Sequence, residues 1–293
     1  MLKYILITVI IMAFIMMIYI AHENRVFTIT RYKINSNKLT GLNETIKIIV
    51  LADLHNHIYG SDNETLIKAI EEENPDLILV AGDLLVAKPG KEIHTATSLM
   101  KRLSLKFPIY YGIGNHEYRL KIYPEQYKDM CERYFGELKK CGVHILDNKY
   151  EKIQIKNTVL NIYGIEIDKE YYKRMVSTEM TSQYIESLLG RLNEQEYNIL
   201  LAHNPNYFKT YAKWGADLTL SGHIHGGLVR LPIFGGVVSP QVEFFPEYDS
   251  GLFQESGKQM VLSRGLGTHT INVRINNRAE LVCIELGSKE SNI

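Results

Sequence analysis

Five short apolar runs in this chain each lead into a polar residue of a kind that binds metals. Thr45–Leu51 leads to Asp53 and His55, and Leu77–Ala81 to Asp83. Ile109–Gly112 leads to Asn115, Asn198–Ala202 to His203, and Leu218–Leu220 to His223 and His225. Runs of this length, rich in Ile, Leu and Val and bounded by Gly, Asp and Asn, read as buried strands. Helical patterns lie between them. Asp62 reads as the N-cap of a helix through Glu73, stopped by Asn74-Pro75. A second helix is expected over Lys91–Leu105 and a third over Pro124–Cys141. In the third, Tyr127, Met130, Cys131, Tyr134, Phe135 and Leu138 recur at steps of three and four, and Gly142 closes it. Residues 177–190 also read as helix. Strand patterns at Lys149–Lys156 and Val159–Tyr163 flank a turn at Asn157-Thr158, and short strands follow Leu228. Alternating strands and helices, with no internal repeat or flexible linker, point to one α/β domain.

In open α/β sheets, ligands bind in the crevice outside the carboxyl ends of the strands. One Asp after a strand can be a turn or a cap. Five such events drawing on Asp, His and Asn are hard to explain by turns. Asp and His together suit borderline divalent metals such as Mn, Fe and Zn. Asp53, His55, Asp83, Asn115, His203, His223 and His225 are too many for one tetrahedral zinc, which takes about four ligands. They fit two divalent ions sharing a bridging carboxylate, an arrangement that clamps the attacking and leaving oxygens of a phosphoryl displacement.

The rest of the composition narrows the partners. The 33 Lys and Arg balance the 33 Asp and Glu, so a generic nucleic-acid binder is disfavoured. Three cysteines, Cys131, Cys141 and Cys283, are too few for a disulfide scaffold and form no C-x-x-C pair, so they read as packing residues. Tyr4–Ile20 has no charge, Gly or Pro. Its seventeen residues give a helix of about 26 Å, just enough to span a bilayer core. A cleaved signal peptide would have a shorter apolar region ending in an A-x-A-like site. Here only Ala21 is small, so a single-pass anchor over 1–25 is the better reading. Lys3 argues for the N-terminus inside, and Arg25, Arg31 and Lys33 argue the other way, so charge does not settle the side. Residues 26–44 read as a connector and first strand, 45–287 as the catalytic domain and 288–293 as a tail.

At its metal-competent residues the chain resembles the calcineurin-like metallophosphoesterases, in their membrane-linked bacterial branch. The family pattern appears in order as Asp53-Leu54-His55, Gly82-Asp83, Gly114-Asn115-His116-Glu117, His203 and Gly222-His223-Ile224-His225. Flanking stretches extend the resemblance over roughly residues 45–285: Leu200–Pro205, His225-Gly226-Gly227, Arg230-Leu231-Pro232 and Ser263–Gly267. The resemblance implies a four-layer αββα sandwich and hydrolysis of phosphate esters by metal-activated hydroxide. It also implies that Asp53, His55 and His225 bind one ion, that Asn115, His203 and His223 bind the other, and that Asp83 bridges both. His116 would face the phosphate as general acid or charge stabiliser. An acidic residue near Val86, common in relatives, is missing here. The family's exported members imply a catalytic domain outside the cytoplasm.

Some assignments rest on residue chemistry alone. Arg230 and Arg264 could meet a substrate phosphate, because Arg suits oxyanions, or could form salt bridges. His57 could contact substrate or support the site, whereas His22, His94, His144 and His269 match no motif. A membrane anchor favours a lipid-linked or envelope phosphate ester or pyrophosphate as substrate. The alternative is a non-catalytic, metal-binding scaffold on the same fold. It should have lost some ligands or the His after Asn, and none is lost. A lactamase-type centre would show an H-x-H-x-D-H cluster, and there is none. Oligomeric state is not legible.

Overall fold

In a computed structural model of the chain, every residue is described except 40, 174–177, 232–234, 239–243, 269–271 and 290–293. A long helix α1 (Leu2–Glu23) precedes strands β1 (Phe27–Ser36) and β2 (Ile46–Leu51). Then come α2 (Glu64–Glu73), β3 (Leu77–Val80), α3 (His94–Ser104), β4 (Ile109–Gly112), α4 (Asn115–Ile122), α5 (Pro124–Tyr127) and α6 (Met130–Lys140). The next elements are β5 (His144–Leu146), β6 (Lys149–Ile155), β7 (Thr158–Ile165), α7 (Ser182–Leu189), β8 (Tyr197–Ala202), α8 (Phe208–Trp214) and β9 (Leu218–Ser221). A small ribbon, β10 (Arg230–Leu231) with β11 (Gly235–Gly236), leads to β12 (Gly251–Glu255), β13 (Lys258–Leu262) and β14 (Ala279–Ser288).

The strands form two six-stranded sheets, ordered β1-β14-β2-β3-β4-β5 and β12-β13-β9-β8-β7-β6. Strands β2 to β5 are mutually parallel, as are β7, β8, β9 and β13. Alternate side chains of a strand point to opposite faces, and here both faces are buried. Ile49, Leu51, Ile78 and Val80 pack beneath α2, α3 and α6. Their neighbours Ile48, Val50, Leu77 and Leu79 meet Ile162, Ile199, Leu201 and Leu220 of the second sheet. On the second sheet's outer face, Leu200 and Ala202 pack against Ile185, Tyr211 and Trp214 of α7 and α8. This is the expected four-layer αββα sandwich. The carboxyl ends of β2, β3, β4, β8 and β9 open on one crevice.

The sequence misreads several details. Residues 124–141 are not one helix, because Lys128, at φ 51°, breaks the run between α5 and α6. Asp62 is not the α2 cap. It sits in a left-handed turn at φ 48°, and its carboxylate accepts from Ser98 Oγ at 3.0 Å. Helix α4 is unforeseen, since its sequence carries no apolar stripe and Glu117 accepts from the N–H of Gly114 to cap it. Of residues 177–190, Ser182–Leu189 is helical and 177 lies outside the described residues. All three thiols are free, with Cys283 buried.

The first sheet also reaches further back than residue 45. Strand β1 pairs in parallel with β14 along ten residues, from Phe27 with Ala279 to Ser36 with Ser288. Ile34, Leu39 and Leu42 are buried between the sheets. Helix α1 is long and apolar enough to cross a membrane, and its apolar side chains are exposed. Its foot is fastened to one loop of the domain. Glu23 pairs with Arg278 at 2.6 Å, Asn24 Nδ2 donates to Asn272 O at 3.0 Å, and the N–H of Asn276 donates to Tyr19 Oη at 3.1 Å.

Removing β1 would expose a long edge of β14 and the apolar groove that Ile34 fills. A chain beginning at Phe27 is therefore expected to fold and melt cooperatively. One beginning at Thr45 is expected to be insoluble or to melt far lower. Equal melting temperatures for the two would show that β1 contributes nothing to the sheet.

Candidate metal centre

Seven side chains from five strand ends meet in the crevice, and tight backbone turns put them there. Asp53, His55, Asp83, His223 and His225 all have positive φ, between 49° and 76°. This left-handed region is sparsely populated by non-glycine residues, and such conformations cluster at functional sites. The turns also need glycine. A Cβ on Gly114 would run into Asp83 Oδ1, and one on Gly222 into Asp53 Oδ2. These glycines let the backbone come close enough to hold the carboxylates from behind. The N–H of His223 reaches both oxygens of Asp53, at 3.1 and 2.9 Å. The N–H of His116, in the first turn of α4, donates to Asp83 Oδ1 at 2.8 Å.

The donor atoms face one another at short range. Asp53 Oδ1 lies 3.4 Å from His225 Nε2 and 3.7 Å from His55 Nε2, and the two ring nitrogens are 3.1 Å apart. Asp83 Oδ2 lies 3.1 Å from His203 Nε2 and 3.9 Å from His55 Nε2. Ligand bonds of about 2.1 Å put neighbouring donors roughly 3.0–3.4 Å apart around a tetrahedral or octahedral ion, so the spacing fits a metal. Three overlapping groups could hold one: Asp53, His55 and His225; Asp83, His203 and His223; and His55, Asp83 and His116. Asn115 Oδ1 is buried and accepts no hydrogen bond, so it too has an acceptor to give.

Ring orientation separates ligands from donors. Only a protonated nitrogen can meet a carbonyl, so His203 Nδ1 donates to Ala81 O at 2.7 Å and His225 Nδ1 to Gly267 O at 3.1 Å. Both rings then turn Nε2 toward the carboxylates, the usual arrangement of a metal-binding His. His116 is the reverse case. The N–H of Ala87 donates to its Nδ1 at 2.8 Å, so the neutral ring carries its proton on Nε2. That nitrogen lies 4.0 Å from Asp83 Oδ2 and faces the cavity as a donor. The third group therefore counts a proton donor among its members.

The electrostatics call for positive charge. Burial pushes the Asp53 carboxyl up to about 7. Burial alone would lower His203, yet Asp83 and Asp53 push it up to about 10. A divalent ion between the carboxylates meets the same demand. His223, lowered to about 3 by burial and the neighbouring His203, and His225, lowered by burial, keep neutral rings with lone pairs to give.

Other residues hold the site together. Glu117 is fully buried, and its carboxylate accepts from the N–H groups of Asp83, Leu84 and Gly114 and from Tyr111 Oη. One side chain thus ties two metal-facing loops together. The signal for it was its place in the Gly-Asn-His-Glu motif. Arg274, also buried, donates to the carbonyls of Arg264, Gly265 and Gly267, and nothing in the sequence marked it.

The arginines expected near substrate lie elsewhere. Arg230 pairs with Asp249 at 2.9 Å, and Arg264 reaches Glu280, Thr28 and Thr30, so neither lines the cavity. Both make the salt bridge that was the alternative reading. His57 packs on Tyr59, with ring centroids 4.6 Å apart, and does not line the cavity either. His144 pairs with Glu151 at the surface, and His269 lies outside the described residues. A cavity of about 390 Å³ opens over His55, Asp83, Asn115, His116, His223 and His225.

Known proteins are similar to this chain in sequence. An uncharacterized metallophosphoesterase of Bacillus subtilis (strain 168), YkuE, is 25% identical over 272 residues, covering 91% of this chain and 87% of its own. The phosphodiesterase YaeI of Escherichia coli (strain K12) is 27% identical over 244 residues, covering 82% of each chain. A transmembrane protein with a metallophosphoesterase domain from Danio rerio is 26% identical over 250 residues, covering 82% of this chain and 53% of its own. The model of the calcineurin-like phosphoesterase family matches residues 46–227. That span carries every strand end that feeds the crevice, and so the chain belongs to the calcineurin-like phosphoesterases, metal-dependent hydrolases of phosphoesters.

Proposed function

We propose that this chain hydrolyses phosphate esters at a two-ion centre beside a membrane that α1 crosses. Asp53, His55 and His225 would hold one ion, and Asn115, His203 and His223 the other. Asp83 would touch both. The observation that carries this reading is the donor set itself: four His rings and Asn115 gather about the Asp53 and Asp83 carboxylates, seven donors in all and too many for one ion. Two divalent ions, of manganese, iron or zinc, would neutralise phosphate charge and bring the pKa of bound water close to neutral. His116 keeps a proton on Nε2 toward the cavity. It can bond a phosphate oxygen or pass that proton to the leaving oxygen, as a positioned His does in acid catalysis. Glu117 and Arg274 touch no substrate. Glu117 holds the loops that carry Asp83 and Asn115, and Arg274 holds the loop whose Gly267 carbonyl orients His225.

The membrane reading is supported by α1 and by the transmembrane relative. A lipid-linked or envelope phosphate ester or pyrophosphate is the substrate it favours, with the catalytic domain outside the cytoplasm.

Chelation is expected to abolish hydrolysis of a bis-aryl phosphate, and Mn²⁺ to restore it best among common divalent ions. Full activity in protein whose metal content is measured as nil would sink the two-ion reading.

Two substitutions separate ligand from acid. Asp83→Asn removes a charge expected to hold both ions, so elemental analysis should find metal lost. His116→Ala should keep its metal while turnover falls about 10²-fold or more. The opposite pattern would reverse the two roles.

A chain beginning at Phe27 is expected to hydrolyse small soluble esters at close to the full-length rate and to lose rate on esters presented in vesicles, where α1 raises the effective concentration. Protease added to intact cells should digest the domain. Protection that disappears on lysis would put the domain inside.

A further inference from the structure

The cavity is larger than a bare phosphoryl group needs. At about 390 Å³ it falls in the range that holds small organic ligands. Its floor is the metal-facing set. Its walls are different in character and come from α4, from Tyr123 just after it and from the turn after β7. They bring three cations, Arg119, Lys169 and Lys173, together with Tyr118, Ile122 and Tyr123. No wall residue is acidic.

The three cations are exposed, and among the described residues none forms an ion pair. The contrast with Lys121, on the same helix as Arg119, is plain. Lys121 is taken up by Asp147 at 2.7 Å and Glu166 at 2.8 Å. Of the nearby acids, Asp168 accepts from Tyr184 Oη at 3.0 Å, and the exposed Glu170 does not line the cavity. Lys169 Nζ lies over the Tyr123 ring, 5.9 Å from its centroid, which steadies the ammonium at the rim. Three positive charges without an ion pair, beside a phosphate-handling floor, attract a further anion. The charge on the scissile phosphate is met at the floor, so the walls are free for a second one.

We propose that the cavity selects phosphoesters bearing a second phosphate group, cradled by Arg119, Lys169 and Lys173 against the apolar wall of Tyr118, Ile122 and Tyr123. This rests on the phosphoesterase reading above and adds a substrate class to it. The second phosphate could belong to a soluble nucleotide-like ester or to a lipid pyrophosphate, and the cradle chemistry is the same for both.

The test compares the p-nitrophenyl ester of thymidine 5′-phosphate with the same ester bearing a 3′-phosphate, on the full-length, metal-supplied protein. Both release p-nitrophenolate and differ only in the second phosphate. The 3′-phosphorylated ester is expected to have a KM about ten-fold lower, the sum of a few exposed charge contacts, and high salt should erase the difference. In the triple variant Arg119→Ala, Lys169→Ala, Lys173→Ala, the preference should fall to about one. These side chains are exposed, so the fold and metal content should be kept. Phosphate release from diacylglycerol pyrophosphate and from phosphatidic acid in phosphatidylcholine vesicles forms the lipid arm. Preference for the pyrophosphate there, lost in the triple variant, assigns the cradle to lipid. Preference in the nucleotide arm alone assigns it to a soluble ester. Wild-type protein with no preference in either arm, or a preference that survives the triple variant, overturns the proposal. If no ester is hydrolysed at all, the phosphoesterase reading fails separately. The cradle is then judged by inorganic pyrophosphate binding, where a Kd about ten-fold weaker in the triple variant supports it and an unchanged Kd overturns it.

Discussion

Two carboxylates taken almost wholly out of water, with no Lys or Arg in an ion pair with either among the described residues, set the terms for this molecule. Asp53 and Asp83 are at most 2% exposed. Burying a charge is costly unless it is paired and hydrogen-bonded. The fold answers with backbone N–H groups behind the carboxylates and imidazole rings in front of them. The N–H groups come from the Gly222-His223 turn and the first turn of α4, and each requires a glycine beside the acid. What remains in front is a demand for cationic charge that neutral rings cannot meet. Both sheets of the sandwich contribute to that demand, since β2 and β3 supply the acids while β8 and β9 lead to three of the rings. The two sheets are therefore joined at the crevice as well as through the apolar layer between them.

Much of this was legible because strand ends are legible. An apolar run that stops at Gly-Asp or Ala-Asp shows both the strand and the residue displayed at its end. The helices α2 and α3 were legible within a few residues at their ends, α2 from its stop at Asn74-Pro75. Elements that depend on contacts distant in sequence were not. Lys128 breaks a helix whose apolar spacing runs straight through it. Helix α4 lacks an apolar stripe and is held at its start by Glu117. The pairing of β1 with β14 links residues some 250 apart in sequence, and nothing local in β1 announces its partner.

In the site, ligand types were readable but second contacts were not. The sequence could suggest that His116 differs from its neighbours. Only the hydrogen bond from Ala87 fixes which ring nitrogen carries the proton. Arg230 and Arg264 attracted notice because Arg suits phosphate, yet each has a carboxylate nearer at hand. The cations that do line the cavity, Arg119, Lys169 and Lys173, fall outside the recognised motifs. Arg274 stands among loop residues, and its role appears only once four carbonyls are seen converging on it.

The join between α1 and the domain has a mechanical meaning. Only residues 24–26 separate the helix from β1, and the helix foot is fastened to the loop containing Asn272, Asn276 and Arg278. Arg274 belongs to that loop and shares the carbonyl of Gly267 with His225. The domain is thus no float on a slack line. Its heading relative to the helix axis is set, and the crevice looks out along one fixed bearing. A change in the tilt of α1 would swing the mouth of the cavity with it and would load the strut that steadies His225.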